Sequence, residues 1–407
     1  MSWREVSVSD EREEFVRLAL VRGSNVSELC RRFGVSRSNG YKWLRRYAAE
    51  GLAGLRDRSR RPQTSPGRTE AEVEGAVVAI RDGSNGAWGG RKIGKVLGNG
   101  GMAAPPAPST ITGILRRHGR LERGAGEHHG PYRRFERSAP NELWQMDFKG
   151  EFAIGSGRCH ALTVLDDHAR YSLGLQACAN QQDLTVRGRL TAIFERYGLP
   201  QQMLMDNGSP WGDAGDQPWT AFGVWLLRLG IGVSHGRPWH PQTQGKEERF
   251  HRTLKAEVLA GKSFADLAQC QRAFDTWRHI YNHERPHEAL GMGVPADRYR
   301  PSPRAFPTTL PPIEYGPGDV VRRVDVNGFI SFKARRWRIG KPFRGLIVAL
   351  RPTLNDGVYA VRFCAHNLGL ADLNINELNL TKPVRTDAVA SSRTATNQPQ
   401  NQPERRQ

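Results

Sequence analysis

At Leu143 the texture of this chain changes, and that change limits its possible folds more than any other feature. Ahead of it, from about residue 10 to residue 118, apolar residues recur at helical spacing. Beyond it come short alternating runs bounded by turn residues: Leu143 to Phe148, Cys159 to Leu165 and Tyr171 to Ala177, the last two joined through Asp166-Asp167-His168-Ala169-Arg170. Leu184 to Tyr197 is then an amphipathic helix stopped by Gly198, and Gln202 to Met205 a short apolar strand ending at Asp206-Asn207-Gly208. Trp219 to Leu229 reads as helix and Ile231 to Ser234 as extended. Three strands, then helix, strand, helix and strand, predict an α/β domain on a mixed sheet.

The helical part divides in two. Glu14, Phe15, Leu18 and Ala19 predict a first amphipathic helix, Asn25-Val26-Ser27 starts a second that Gly34 stops, and Ser36 caps a third. Two helices joined through Phe33-Gly34-Val35-Ser36 give a helix-turn-helix pattern. Any small three-helix bundle shares that pattern, but here the third helix offers a basic polar face, so Arg37, Ser38, Tyr41, Lys42 and Arg45 are the expected DNA contacts. Leu55 to Gly67 is a basic, Pro- and Ser-rich linker, either laid along phosphates or simply solvated. Ala71 to Ile80, Gly90 to Leu97 and Ser109 to His118 predict a second helix-turn-helix-like unit, and Gly119 to Pro140 a charged linker.

On the far side of the α/β region, Phe264 to Tyr281 is helical, and a Pro-rich joint leads to a β-rich stretch from Val320 to Leu380. Val324 and Val326, an Asn327-Gly328 turn, then Ile330 and Phe332 predict a hairpin; Asn355-Asp356-Gly357 repeats the device. A small β-barrel is the expected result, with Trp337 in its core or stacked on nucleic acid. The tail from Pro383 has almost nothing to bury and should be disordered. The domains so read are 1–60 and 61–120 (helical), 121–140 (linker), 141–305 (α/β with a helical extension), 318–382 (β-rich) and 383–407 (tail).

Charge narrows the partners. The 407 residues carry a net +19, with a pI of about 10.3, which favours a polyanion, nucleic acid first. No apolar run approaches the ~18 residues of a spanning helix, so no membrane partner is expected. The five cysteines lie far apart without a CxxC pair, which argues against a disulfide framework or a thiolate zinc site and for a reducing cytosol.

The chemistry-bearing stretch is His240 to His251, a Gly/Pro-broken polar loop that becomes a charged helix. Phe250, Leu254 and Val258 share one face of that helix; Glu248, His251, Arg252 and Lys255 share the other. Three carboxylates stand where a metal site can converge: Asp147 on the first strand, Asp206 at the end of the fourth, and Glu248 in the first turn of this helix. Carboxylates suit a hard ion such as Mg²⁺ or Mn²⁺, and three can hold two ions. Lys246, Arg252 and Lys255 are the expected DNA contacts around them.

With these blocks in order, the sequence resembles bacterial insertion-sequence transposases of the DDE type, within them most the insertion-sequence 481 family, and is related to retroviral integrases. The resemblance rests on Leu143-Trp144-Gln145-Met146-Asp147-Phe148, on Asp206-Asn207-Gly208-Ser209, on Gly236 to Lys246 with Glu248-Arg249-Phe250-His251, and on Tyr281-Asn282 with Arg285-Pro286-His287. It implies a ribonuclease-H-like catalytic domain, with first and fourth strands as neighbours, and Asp147, Asp206 and Glu248 as catalytic, metal-binding triad. It also implies cleavage at transposon inverted repeats to free 3′ hydroxyls, their joining to target DNA, and a dimer or larger synaptic complex in the bacterial cytoplasm, at the nucleoid. Two departures stand out. The 41 residues between Asp206 and Glu248 exceed the usual spacing, the surplus falling around Gly212 to Pro218. Glu247 stands where relatives carry an apolar residue, and register with Gly245-Lys246 favours Glu248 as the ligand. The rival readings are a metal-dependent nuclease that does not join strands, and a catalytically silent DNA-binding regulator derived from a transposase.

Overall fold

The computed structural model describes residues 7–59, 67–121, 136–212, 219–236, 245–380 and 384–385. The chain forms two compact units, residues 1–68 and 69–407.

In the first unit, α1 (Val8–Ala19), α2 (Val26–Arg32) and α3 (Arg37–Glu50) bury Phe15, Val16, Cys30, Trp43 and Leu55 between them. The first helix starts earlier than its apolar stripe suggests, because Ser7 and Asp10 cap each other's backbone. Asn25 caps α2 and Ser36 caps α3, as expected. Gly34 turns the chain between them at φ 64°, and Val35 N–H donates to the Cys30 carbonyl at 2.9 Å. Gly40 is needed for close approach: a Cβ there would lie 2.5 Å from Cys30 Sγ and 2.9 Å from the Phe15 ring.

The second unit opens with α4 (Ala71–Gly83), α5 (Gly90–Asn99) and α6 (Pro108–Arg117), packed around Val77, Trp88, Ile93, Ile111 and Ile114. The central sheet follows: β1 (Leu143–Ile154), β2 (Gly157–Asp166), β3 (Ser172–Cys178), α7 (Asp183–Tyr197), β4 (Gln202–Met205), α8 (Ala221–Arg228) and β5 (Gly232–His235). The strands β1, β2 and β3 form an antiparallel meander, and β4 lies parallel beside β1 with β5 beyond it. First and fourth strands are neighbours, as the resemblance implied. Next come α9 (Gly245–Leu254), a π-helical turn (Lys255–Leu259), α10 (Leu267–His283) and the short α11 (Pro295–Arg298).

Helices cover both faces of the sheet. Leu162, Val164 and Leu173 pack toward Val186, Leu190 and Phe194 of α7, while Cys159, Ala161 and Leu175 pack toward Phe250, Leu254, Phe274 and Trp277. Strands covered on both sides read as nearly continuous apolar runs, and β2 does from Ala161 to Leu165, Thr163 apart.

The last region holds β6 (Val320–Arg323), β7 (Phe329–Phe332), β8 (Arg335–Arg338), β9 (Ile347–Pro352), β10 (Val358–Phe363), β11 (His366–Asp372), β12 (Glu377–Leu380) and β13 (Val384–Arg385). An antiparallel sheet runs β12-β11-β10-β9-β6, and β7 pairs with β8 apart from it. Among the described residues nothing pairs β12 with β6, so the expected barrel is not closed. Across Asn327-Gly328 the chain does turn back, with Asp325 N–H donating to the Phe329 carbonyl at 2.8 Å, but no ladder extends from that turn and β7 pairs with β8. The Asp325 carboxylate accepts from the N–H groups of Asn327 (2.8 Å) and Phe329 (2.9 Å), so a side chain takes donors that a ladder would use. The hairpin at Asn355-Asp356-Gly357 forms as expected, between β9 and β10. Trp337 is a core residue, 3% exposed, donating to the Phe332 carbonyl. The tail expected to be disordered contributes β13, parallel to β5 at the edge of the central sheet; residues 386–407 lie outside the described residues. Among the described residues no helix is long and apolar enough to cross a membrane.

Candidate active site

Asp147 and Asp206 come together because their strands are parallel neighbours. Gln145 of β1 is level with Leu204 of β4, so each aspartate stands two residues further on, on the same face. The Asp206 carbonyl accepts from His235 Nδ1 at 2.7 Å, and Asn207 Nδ2 donates to the Gly236 carbonyl at 2.8 Å, which fixes the ends of β4 and β5 to each other. The Asp206 Oδ1 accepts from Gly208 N–H at 3.0 Å and from the Trp211 indole.

Glu248 is exposed in the first turn of α9, and Glu247 is buried. Burial, then the charge of Asp206 and more weakly that of Glu248, push the Asp147 carboxyl up to about 7 against a bond from Phe148 N–H that lowers it. The three carboxylates thus share one electrostatic neighbourhood. Glu247 turns inward beneath Asp147. The Thr163 hydroxyl lies 2.9 Å from the Asp147 carbonyl oxygen, 3.0 Å from Glu247 Oε2 and 2.9 Å from His251 Nε2. Glu247 Oε1 is buried without a hydrogen-bond partner. Burial, reinforced by the Asp147 charge, raises its acid well above the ordinary carboxylate range. Burial, with Lys149 adding to it, lowers His251 to about 4, so its ring is neutral at physiological pH.

The donor chemistry suits a divalent cation: crowded carboxylates whose mutual repulsion a positive ion relieves. Their arrangement is not a closed site, for among the described residues no three His, Cys, Asp or Glu side chains are grouped to hold a metal ion. Residues 237–244, with His240 and the Gln/Gly loop, lie outside the described residues.

Of the expected DNA contacts, Arg37, Ser38, Tyr41, Lys42 and Arg45 are all exposed on α3, and Arg252 and Lys255 are exposed at the end of α9. Lys246 points inward instead. Its ammonium pairs with the buried Asp167 carboxylate and lies 3.1 Å from the Asp167 carbonyl oxygen. Asp167 also accepts from Gln145 Nε2 at 2.7 Å and Arg137 N–H at 2.8 Å, while Asp166 caps the turn through Ala169 N–H. Asp166 is therefore a turn cap, while Asp167 is a buried anchor for Lys246, Gln145 and Arg137. Arg285 and His287 fasten the chain past α10, through Glu257 and the Tyr281 carbonyl.

Glu257 itself escaped the sequence reading. It is buried and accepts from Trp88 Nε1 (3.1 Å), Trp277 Nε1 (2.8 Å) and Arg285 Nε (2.9 Å). The available signal was a carboxylate three residues past Leu254, on the edge of the apolar stripe.

Known families match this order of parts. "Integrase core domain" descriptions match residues 137–241 and 229–295, a helix-turn-helix domain matches 11–63 and a homeodomain-like domain 39–115. The C-terminal domain of IS481 family transposases matches residues 319–379. The insertion element IS476 uncharacterized 39.2 kDa protein of Xanthomonas euvesicatoria is 30% identical over 159 residues, 39% of this chain and 44% of that protein. The IS407 uncharacterized 31.7 kDa protein of Burkholderia multivorans is 28% identical over 160 residues, 39% of this chain and 55% of its own length. The chain thus spans about half the length of these relatives. Among solved structures, a chain of the simian T-cell lymphotropic virus intasome aligns at 13% identity with a TM-score of 0.37, over 75% of this chain and 99% of that one.

The parts are thus similar to those of transposases and integrases, with helix-turn-helix and homeodomain-like regions ahead of an integrase core domain. More particularly, the chain is similar to proteins of bacterial insertion elements, and residues 319–379 match the C-terminal domain of IS481 family transposases.

Proposed function

We propose that this protein is a DDE transposase that binds the inverted-repeat ends of an insertion sequence, cleaves each to a free 3′ hydroxyl and joins it to target DNA. The observation that carries the reading is the pairing of Asp147 with Asp206 across parallel strands, with the Glu248 charge reaching the same carboxyl. In this reading the central sheet is ribonuclease-H-like, spanning about residues 141–305, and the helical units at 1–60 and 61–120 read the ends. Asp147, Asp206 and Glu248 would hold two Mg²⁺ or Mn²⁺ ions. Such ions, when bound, supply activation of the attacking oxygen and stabilisation of the leaving one.

The chain's own residues do the rest. The Phe148 N–H and the Trp211 indole aim the two aspartates, and Thr163 holds the β1 backbone beneath them. Arg252 and Lys255 offer exposed cations to the phosphates that flank the scissile bond. Water and then the 3′ oxygen act as nucleophiles, so no covalent enzyme intermediate is required. Two ends must meet, which calls for a dimer or larger synaptic complex at the bacterial nucleoid.

A strand-transfer assay with Mg²⁺ or Mn²⁺, a labelled duplex of the terminal repeat and plasmid target tests the reading. Joined product from the wild type but not from Glu248→Gln is the expected result. The arrangement of the carboxylates, with Asp206 engaged by Trp211 and no closed ligand set among the described residues, favours one second reading, a silent DNA-binding regulator. Specific binding without product in either metal would establish it.

A further inference from the structure

The second helical unit is not hung on the integrase core by surface contacts alone. Trp88, at the start of α5, reaches the buried Glu257, which Trp277 and Arg285 also engage from the core side. Asn85 donates through Nδ2 to the carbonyls of Ala256 (2.9 Å) and Ala260 (3.3 Å), acceptors that the π-helical turn leaves available. Ile280 of α10 packs into the α4–α6 core, and Arg91 lies 3.4 Å from Glu288. The Trp88 and Asn85 ties meet at the turn that continues α9, the helix bearing Glu248, and the other two reach α10 and the segment after it.

The consequence is electrostatic. Lys92 of α5 stands within reach of the Arg249 and Arg285 charges. Lys95, a turn further along α5, is exposed, as are Arg249 and Arg252 on α9. Glu257 lies nine residues past Glu248, a rise of roughly 14 Å at 1.5 Å per residue. A duplex laid alongside presents a phosphate about every 3.4 Å of axis on each strand, so a helix of that length spans about four base pairs.

Resting on the transposase reading, we infer that α5 and α9 form one fixed surface for the phosphate backbone of duplex DNA beside the reacting end, with Lys92, Lys95, Arg249 and Arg252 as its contacts and Glu257 as the residue that locks the two helices together. Duplex on this surface is then held at a set distance from Glu248.

The test measures affinity of the full chain against salt concentration, without metal. The probes are the duplex repeat that flanks the coding sequence and a scrambled duplex of equal length. Lys95→Glu with Arg249→Glu is compared with wild type and with Arg272→Glu, a charge reversal on the exposed face of α10. Loss of about 0.9 from the slope of log K against log salt for each contact removed, near two for the pair and near zero for Arg272→Glu, is expected. An unchanged slope in the pair, or an equal loss in the control, overturns the surface. Because no strand is cut in this assay, a wild type that binds with the expected slopes yet joins no strands would refute the transposase reading and leave the surface standing.

Discussion

Replacing Glu257 by leucine should loosen the α4–α6 unit from the core while leaving the central sheet intact. The side chain of Glu257 is 4% exposed and that of Arg285 9%, so the mutation leaves a buried guanidinium without its anion. Breaking one partner of such a pair costs about 3–5 kcal/mol. Two indole N–H groups, on Trp88 and Trp277, lose their acceptor as well, at about 1–3 kcal/mol each where no water replaces it. The terms overlap, and about 4 kcal/mol is the working figure. Glutamine keeps the shape and one acceptor oxygen, and should lose less than half of that. Native-state hydrogen exchange reads the effect locally. At about 1.4 kcal/mol per tenfold, amides of α5 and α6 in Glu257→Leu should exchange on the order of a hundredfold faster or more, while those of β1 and β2 keep their protection. A change of less than about fivefold in α5, or an equal change throughout the sheet, would refute the idea that one carboxylate locks this joint.

Three further outcomes are expected. Gly40→Ala places a methyl against Cys30 Sγ and the Phe15 ring, and such overpacking costs about 1–3 kcal/mol; the first unit should melt earlier in a calorimetric scan, and an unshifted melt would contradict the packing. In metal-free protein the Asp147 carboxyl sits at about 7 against its ordinary 3.8. Its folded form therefore holds a proton that the unfolded chain has released, and the stability this contributes is complete below pH 3.8 and lost as pH rises toward 7; urea titrations should show that decline in the wild type and not in Asp147→Asn. Removing one neighbouring charge should bring the Asp147 titration down, more in Asp206→Asn than in Glu248→Gln, as carboxyl NMR would register; an unmoved titration would mean that the three acids do not share a site.

Much of the fold was legible because its signals are local. Ser36 and Gly34 mark their helix ends by cap chemistry, and the meander of β1 to β3 follows from their order, whereas the place of β4 beside β1 came from the resemblance. The turn at Asn327-Gly328 forms where it was expected, but its ladder stops there for an equally local reason: Asp325 takes backbone donors with its side chain, and an Asn-Gly pair does not reveal that competition. Lys246 was assigned to DNA because basic residues beside an acidic helix suggest phosphate contacts. Its partner, Asp167, lies 79 residues away in sequence, and such distance hides a pairing from any spacing argument.

The two adjacent glutamates show where sequence and structure divide the work. Successive residues on a helix point about 100° apart, and here one of Glu247 and Glu248 faces the solvent while the other faces the sheet. Register favoured Glu248, and Glu248 is the exposed one, while Glu247 is buried against Thr163 and His251. An apolar residue would fill the Glu247 position without desolvating a carboxyl or leaving Oε1 unpartnered. Burial, reinforced by the Asp147 charge, works against ionisation of the acid that stands there and so limits the negative charge beneath Asp147. The same reasoning separates roles by depth: the carboxyl at the surface is free to meet a cation and a phosphate, and the one below it can act on them only through the side chains it touches.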